Sequence, residues 1–254
     1  MDLGLAGRVA IVTGGSKGIG RAIARELGHE GARVAITYCH DLSAAETTAA
    51  LIRDEGGDAV AFFLDLADPA SIDAAAAATL ARWGRIDVLV NNAIAWGAQA
   101  ARDAPPLDRL PPAEWRQLLR ANVEGPVAAL QSVIPSMRQN AWGRIVNISS
   151  VSAVDGLRGA GWYSAAKAAL HGLTRTVARE VGTAGILINC VMPSLTLTDG
   201  VLRTVPESVR ESTAARTPIG RLLSPSEFAQ VVVFLCSAAN VAITGEVIRA
   251  SGGL

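Results

Sequence analysis

The segment Val9-Ala10-Ile11-Val12-Thr13-Gly14-Gly15-Ser16-Lys17-Gly18-Ile19-Gly20 joins four consecutive apolar residues to a glycine-rich turn and runs straight into the amphipathic stretch Arg21 to Gly31. A strand that is apolar at every position is covered on both faces, the condition of a parallel sheet with helical crossovers. Glycine reaches positive φ and lets backbone N–H groups come close to a pyrophosphate, and the helix that follows presents the positive end of its dipole. One turn thus predicts a layered α/β fold and a nucleotide at the edge of its sheet.

The rest of the chain keeps to that pattern. Short β-branched apolar runs at Val9 to Thr13, Arg33 to Tyr38, Ala59 to Leu64, Ile86 to Val90, Gly143 to Ile148 and Ile186 to Val191 read as strands. Between them Gly18 to Gly31, Ser43 to Glu55, Ser71 to Trp83, Pro112 to Arg138 and Tyr163 to Thr183 have helical period, and Phe228 to Leu235 is a further apolar run. This alternation predicts a Rossmann-type, doubly wound parallel sheet in three layers, α/β/α. Without a linker or repeat, the 254 residues are expected to form one domain, its nucleotide part mainly in 8–95 and its catalytic and substrate part mainly in 115–223.

Several function classes are excluded by composition. Lys plus Arg and Asp plus Glu number 23 each, so no net field points to nucleic acid or an anionic membrane. Cys39, Cys190 and Cys236 lack the spacing of a zinc site or a disulfide framework, and His29, His40 and His171 are too scattered to suggest metal or acid/base work. The first residues, MDLGLAGRVAIVTGG, carry no basic leader, and no run of about 18 apolar residues occurs. The expectation is a cytoplasmic protein with no metal.

Chemistry is concentrated in the second half. Tyr163 and Lys167 lie four apart in a helical stretch and share a face. A free tyrosine has a pKa of about 10; a neighbouring ammonium favours the phenolate, so Lys167 is expected to lower that value. Ser150 closes the strand that ends at Ile148, at the carboxyl edge where ligands of open α/β sheets gather. Ser149 is its rival, and Ser152 can line the same pocket. Asn122 sits inside a helix whose interior does not favour it.

With Gly14, Gly18 and Gly20, Asn91-Asn92-Ala93 after the fourth strand, Asp65 after the third, and Asn122, Ser150, Tyr163, Lys167, Pro193 and Thr198 in order, the chain resembles the short-chain dehydrogenase/reductases, most of all their bacterial 3-oxoacyl reductase-like branch. The resemblance spans nearly the whole chain. It implies that Ser150 holds a substrate oxygen, that Tyr163 gives or takes its proton, that Lys167 also holds the nicotinamide ribose, and that Asn122 kinks its helix and binds a relay water. It selects Ser150 over Ser149. Around a dinucleotide it implies Gly14, Ser16, Lys17, Gly18, Ile19, Gly20, Tyr38, Asp65, Leu66, Asn92, Ala93, Tyr163, Lys167, Pro193, Thr196 and Thr198. Three positions depart from the family pattern: Ile94 and Ser194 stand where glycine is usual, and Ser251 replaces a common Asp or Asn.

Tyr38 stands where an acidic residue would bond the ribose hydroxyls and repel a 2′-phosphate, and Lys17 lies in the glycine turn, so NADP(H) is favoured over NAD(H). The expected activity is reduction of a ketone or 3-oxoacyl-type carbonyl to a secondary alcohol, or the reverse. The alternatives are an NAD-dependent alcohol dehydrogenase and, more remotely, an isomerase, dehydratase or nucleotide sensor on the same fold. Trp96, Leu157 and Trp162 are expected to line the site with Ser150 and Ser152, favouring an apolar or flat substrate, and the polar stretch Asp199 to Leu223 reads as a mobile lid. Ala141 and Ala184 occupy positions where carrier-dependent relatives often have arginine, which places acyl carrier protein in question; Arg138 and Arg144 are near enough to compensate. The family further implies a homotetramer built partly on the helices Pro112 to Arg138 and Tyr163 to Thr183.

Overall fold

A computed structural model describes residues 2–96 and 105–254. Seven strands, β1 (Val9–Val12), β2 (Arg33–Tyr38), β3 (Asp58–Phe63), β4 (Val88–Asn91), β5 (Gly143–Ile148), β6 (Ile186–Pro193) and β7 (Val247–Ala250), form one sheet in the order β3-β2-β1-β4-β5-β6-β7. Every pairing is parallel, as the two-sided apolar strands require. The helices are α1 (Gly18–His29), α2 (Leu42–Asp54), α3 (Pro69–Trp83), α4 (Pro112–Gln139), α5 (Ser152–Asp155), α6 (Gly161–Val181), α7 (Asp199–Thr204), α8 (Glu207–Arg216) and α9 (Pro225–Leu235).

Alternation along each strand divides the core in two. Ala10, Val12, Val34, Ile36, Val88, Val90, Val146 and Ile148 face the side covered by Ile23, Ala24 and Leu27 of α1, Ile52 of α2, and Phe228 and Val232 of α9. Ile11, Ala35, Leu89 and Ile145 face Ile72 of α3, Leu130, Val133 and Met137 of α4, and Val177 and Val181 of α6. Fully burying one such side chain contributes about 1.5–3 kcal/mol. Asn91 and Asn147 are exceptions within this core. Paired in register across β4 and β5, they meet through Asn91 Nδ2 and Asn147 Oδ1 at 2.9 Å, and Asn147 Nδ2 donates to Thr174 Oγ1 of α6 at 2.9 Å.

Between β1 and β4 the strand order reverses, because β2 and β3 are laid to one side and β4 to β7 to the other. That reversal opens a crevice at the carboxyl ends of β1 and β4. Asp41 and Asp68 cap α2 and α3, accepting from Ala44 N and Ala70 N, and a Ser224/Glu227 capping box starts α9. At α1 the N-cap is Lys17, and no side chain caps that terminus.

β7 was not anticipated from the sequence, and the stretch Asp199 to Leu223 holds α7 and α8, neither with a buried residue. Arg144 corrects a further expectation. It is not a surface cation but is 6% exposed, its guanidinium spent on four backbone carbonyls, so it cannot compensate for Ala141 or Ala184.

Candidate active site

The turn after β1 and the loop after β4 are locked together across the crevice. Thr13 Oγ1 accepts from Asn92 N and Ala93 N at 2.9 and 3.0 Å, and Asn92 Nδ2 donates to the carbonyls of Thr13 and Gly14 at 2.9 and 3.2 Å. The fit is tight. A Cβ on Gly20 would stand 2.3 Å from Gly14 O and 2.5 Å from Asn92 Nδ2, and Gly14 and Gly18 hold φ of +63° and +58°. Arg21 grips the outer side of the turn, donating to Ser16 O at 2.8 and 3.1 Å. The result is a rigid backbone cradle over the uncapped N-terminus of α1, which suits the pyrophosphate of a dinucleotide.

The other expected nucleotide residues stand at or beyond the carboxyl ends of β1, β2, β3 and β6. Lys17 is exposed on the turn and Tyr38 is half-buried at the end of β2, edge-on to Phe63. Asp41, which could have repelled a phosphate there, is turned to capping α2. Asp65 is close enough to Cys39 to help burial raise its thiol pKa, and Leu66 and Ile19 pack into the two core faces. Pro193 ends β6. Thr196 is buried with its hydroxyl on Ser194 O, whereas Thr198 lies against Gly18 and caps α7. Two departures from the family pattern are linked: Ser194 Oγ donates to Ser251 O at 3.4 Å. Ile94 needs no glycine-like backbone, since Ala141 is the one non-glycine residue with positive φ among those described.

Ser150, Tyr163 and Lys167 come together at the carboxyl end of β5, on the same edge of the sheet as this cradle. Ser150 Oγ accepts from Ser152 N at 3.2 Å and Ser152 Oγ at 3.0 Å, and its hydrogen bonding favours ionisation of Tyr163. Ser149 faces away: it is buried, donates to Lys167 O at 3.0 Å and meets His171 Nε2 at 2.8 Å. That contact of His171 had no signal in the sequence. Asn122 makes three hydrogen bonds, two of them to Ala95.

A family model described as enoyl-(acyl carrier protein) reductase matches residues 14–254. The chain is 37% identical over 252 residues to the 3-oxoacyl-(acyl-carrier-protein) reductase FabG of Pseudomonas aeruginosa, covering 99% of both chains. The chain belongs to the short-chain dehydrogenase/reductase family. As such it is an oxidoreductase acting on C=O or CH–OH groups. The enzyme of the same name from Aquifex aeolicus is 36% identical over 254 residues, 100% of each chain, and that of Escherichia coli 36% over 249, 98% of this chain and 97% of that one. In three dimensions it is similar to a dehydrogenase/reductase from Sinorhizobium meliloti, with a TM-score of 0.89, 34% identity, and coverage of 99% of this chain and 96% of the other.

In this short-chain dehydrogenase/reductase two expectations need correction. Lys167 Nζ is buried, donates to Ile148 O at 2.7 Å and lies 6.0 Å from the Tyr163 ring centre. Burial pushes its pKa down to about 8, and burial also raises that of Tyr163, so desolvation outweighs the activation expected from the i, i+4 pair. α4 is helical through Asn122, whose amide takes the Leu118 carbonyl of its own helix at 2.9 Å, and Pro126, four residues on, has no N–H to offer the Asn122 carbonyl. Trp162 does not line an open site; it is 4% exposed, packed with Leu110 and Leu118. Trp96 and Leu157, by contrast, are 53% and 48% exposed. Among the described residues no helix is long and apolar enough to cross a membrane.

Proposed function

We propose that this chain uses NADP(H) to interconvert a ketone or 3-oxoacyl-type carbonyl and a secondary alcohol, with Asn122, Ser150, Tyr163 and Lys167 as its functional residues. The observation that carries the reading is Lys167 Nζ bound to the Ile148 carbonyl and 6.0 Å from the Tyr163 ring centre, just before Ser150 and at the same carboxyl edge of the sheet as the glycine cradle. A nicotinamide dinucleotide held at the glycine cradle would supply or accept the hydride. Ser150 then donates to the substrate oxygen, and Tyr163 delivers the proton that this oxygen needs as the carbonyl becomes an alcohol; in oxidation the same proton returns to Tyr163. Lys167 supplies positive charge near the Tyr163 ring and would donate to the ribose of the cofactor, and Asn122 holds the loop after β4.

NADP(H) is supported by Tyr38 at the end of β2 and the exposed Lys17, with Asp41 committed to α2. The 3-oxoacyl carbonyl is carried over from the names of the relatives. The carrier is not, since Ala141 and Ala184 bring no charge and Arg144 is buried, which leaves Arg138 as the exposed one of the two arginines. A homotetramer in the cytoplasm belongs to the same proposal, on the strength of the family.

The test is titration with NADPH and NADH, followed by nicotinamide fluorescence, and then a panel of small ketones and 3-oxoacyl thioesters. Tighter NADPH binding with turnover is expected. Preference for NADH would overturn the use made of Tyr38 and Lys17, and binding of neither would end the oxidoreductase reading of the site.

A further inference from the structure

We infer that Trp96 sets the substrate class: resting on the reductase reading above, the site takes carbonyls conjugated to a planar ring, whose flat body lies against the indole. The Trp96 ring stacks on Tyr163 with centres 5.3 Å apart and planes 16° from parallel. Trp162 braces both rings edge-on, at 6.2 Å and 82° to Trp96 and 5.8 Å and 83° to Tyr163. Trp162 is itself fixed in the packing of Leu110 and Leu118. The backbone is held as well, because Asn122 hydrogen-bonds both the N–H and the carbonyl of the preceding Ala95.

An indole so restrained and yet 53% exposed is a preformed π surface, not a mobile side chain that has failed to find cover. Its position fixes what it meets. A substrate oxygen shared by the Tyr163 and Ser150 hydroxyls puts the carbonyl substituents within about a ring's width of the indole stacked on that same tyrosine. Leu107, 68% exposed, borders the first turn of α6 at Gly161, the residue before Trp162. A ring in conjugation with the carbonyl stays coplanar with it and can stack; a saturated ring of equal size cannot. Aromatic pairing beyond plain burial corresponds to about a tenfold preference.

The test compares acetophenone, cyclohexyl methyl ketone and an acetoacetyl thioester with NADPH, in the wild type and in Trp96→Phe and Trp96→Leu. KM for acetophenone is expected about tenfold below that for the saturated ketone in the wild type. The aryl-to-cyclohexyl ratio of kcat/KM should fall about tenfold in Trp96→Leu and less than threefold in Trp96→Phe. Both ketones share Tyr163, so a mere disturbance of its packing leaves the ratio unchanged. An unchanged ratio, equal KM values in the wild type, or turnover of the thioester alone overturns the inference while the reductase reading stands. No turnover of any carbonyl with NADPH bound removes that reading and the inference with it. Should Trp96→Leu fail to bind NADPH, Trp96→Met carries the same comparison.

Discussion

Asn122 holds Ala95 at both ends of its backbone: Oδ1 accepts from the Ala95 N–H at 2.9 Å, and Nδ2 donates to the Ala95 carbonyl at 2.8 Å. The second Nδ2 hydrogen goes to Leu118 O, so the amide ties α4 to the loop that carries Ala93 and Trp96. Asn122→Ala strands these buried groups and should cost about 1–3 kcal/mol in urea unfolding. It should also lower kcat/KM by at least about tenfold, as the loop beside Tyr163 loses its anchor. Asn122→Asp keeps the acceptor but turns a carboxylate toward two carbonyls, and is expected to be no better. Stability and kcat/KM both within twofold of wild type would remove Asn122 from the site.

Tyr163→Phe deletes the proton and keeps the ring against Trp96. Turnover in either direction should fall by about 10²–10⁴-fold, while NADPH affinity stays within about threefold. Ser150→Ala, which leaves Tyr163 its proton, should be the milder change. Near-normal kcat in Tyr163→Phe would refute its assignment as the proton donor.

Whether an element could be read from the sequence tracks how far it is buried on both sides. β2 and β5 lie at the residues expected, because interior strands are apolar on both faces and glycine or charge marks their ends. β7 has the pattern VIRA, half-buried with Arg249 outward at the sheet's edge, and gives no such run. α7 and α8 bury no residue, so no helical apolar period marks them. In the site, the spacing of Ser150, Tyr163 and Lys167 was legible, and so was the bulk of Trp96 and Trp162. Which indole would be bare was not: that depends on Leu110 and Leu118 arriving from another element to cover Trp162. Arg144 misled for a similar reason, since nothing local reveals that distant carbonyls will enclose it.

Lys167 makes the pH dependence of this site specific. Burial brings its pKa down to about 8, so the ammonium is fully present below that pH and is lost above it, while Tyr163, raised from its usual value, keeps its proton. The proposed reduction needs Tyr163 protonated and Lys167 charged, as both stand at neutral pH. The kcat/KM for reduction should therefore be level to about pH 8 and then fall about tenfold per pH unit. Stability runs the other way. The unfolded chain binds more protons between about 8 and 10.5, so the ligand-free protein should gain on the order of 1–3 kcal/mol as pH rises through that window. Lys167→Met should abolish this gain in urea midpoints. A kcat/KM profile flat to pH 10 would mean that the charge of Lys167 has no part in turnover.

Arg144 carries a charge into the base of the sheet without a carboxylate among its hydrogen-bond partners. Nε donates to Ser237 O at 3.1 Å, Nη1 to Gly143 O and Gly185 O at 2.8 and 3.2 Å, and Nη2 to Asn240 O at 3.1 Å. Its guanidinium also lies over Trp142 at 4.5 Å, and Arg8 approaches the same ring at 3.9 Å. Burial and the Arg8 charge push its pKa down to about 10. What offsets these costs is geometry: one planar fork gathers the start of β5, the turn before β6 and the segment leading to β7. Arg144→Met would leave four carbonyls without this donor and should destabilise the protein by about 3–5 kcal/mol, seen as a lower urea midpoint. Arg144→Lys should recover only part, since a point charge cannot span all four. Because Arg144 lies near the start of β5 and Ser150 beyond its far end, kcat/KM for a small ketone in the folded fraction should stay within about twofold of wild type. If Arg144→Met instead keeps full stability and loses only turnover of a carrier-bound substrate, the residue is a docking cation and the burial argument fails.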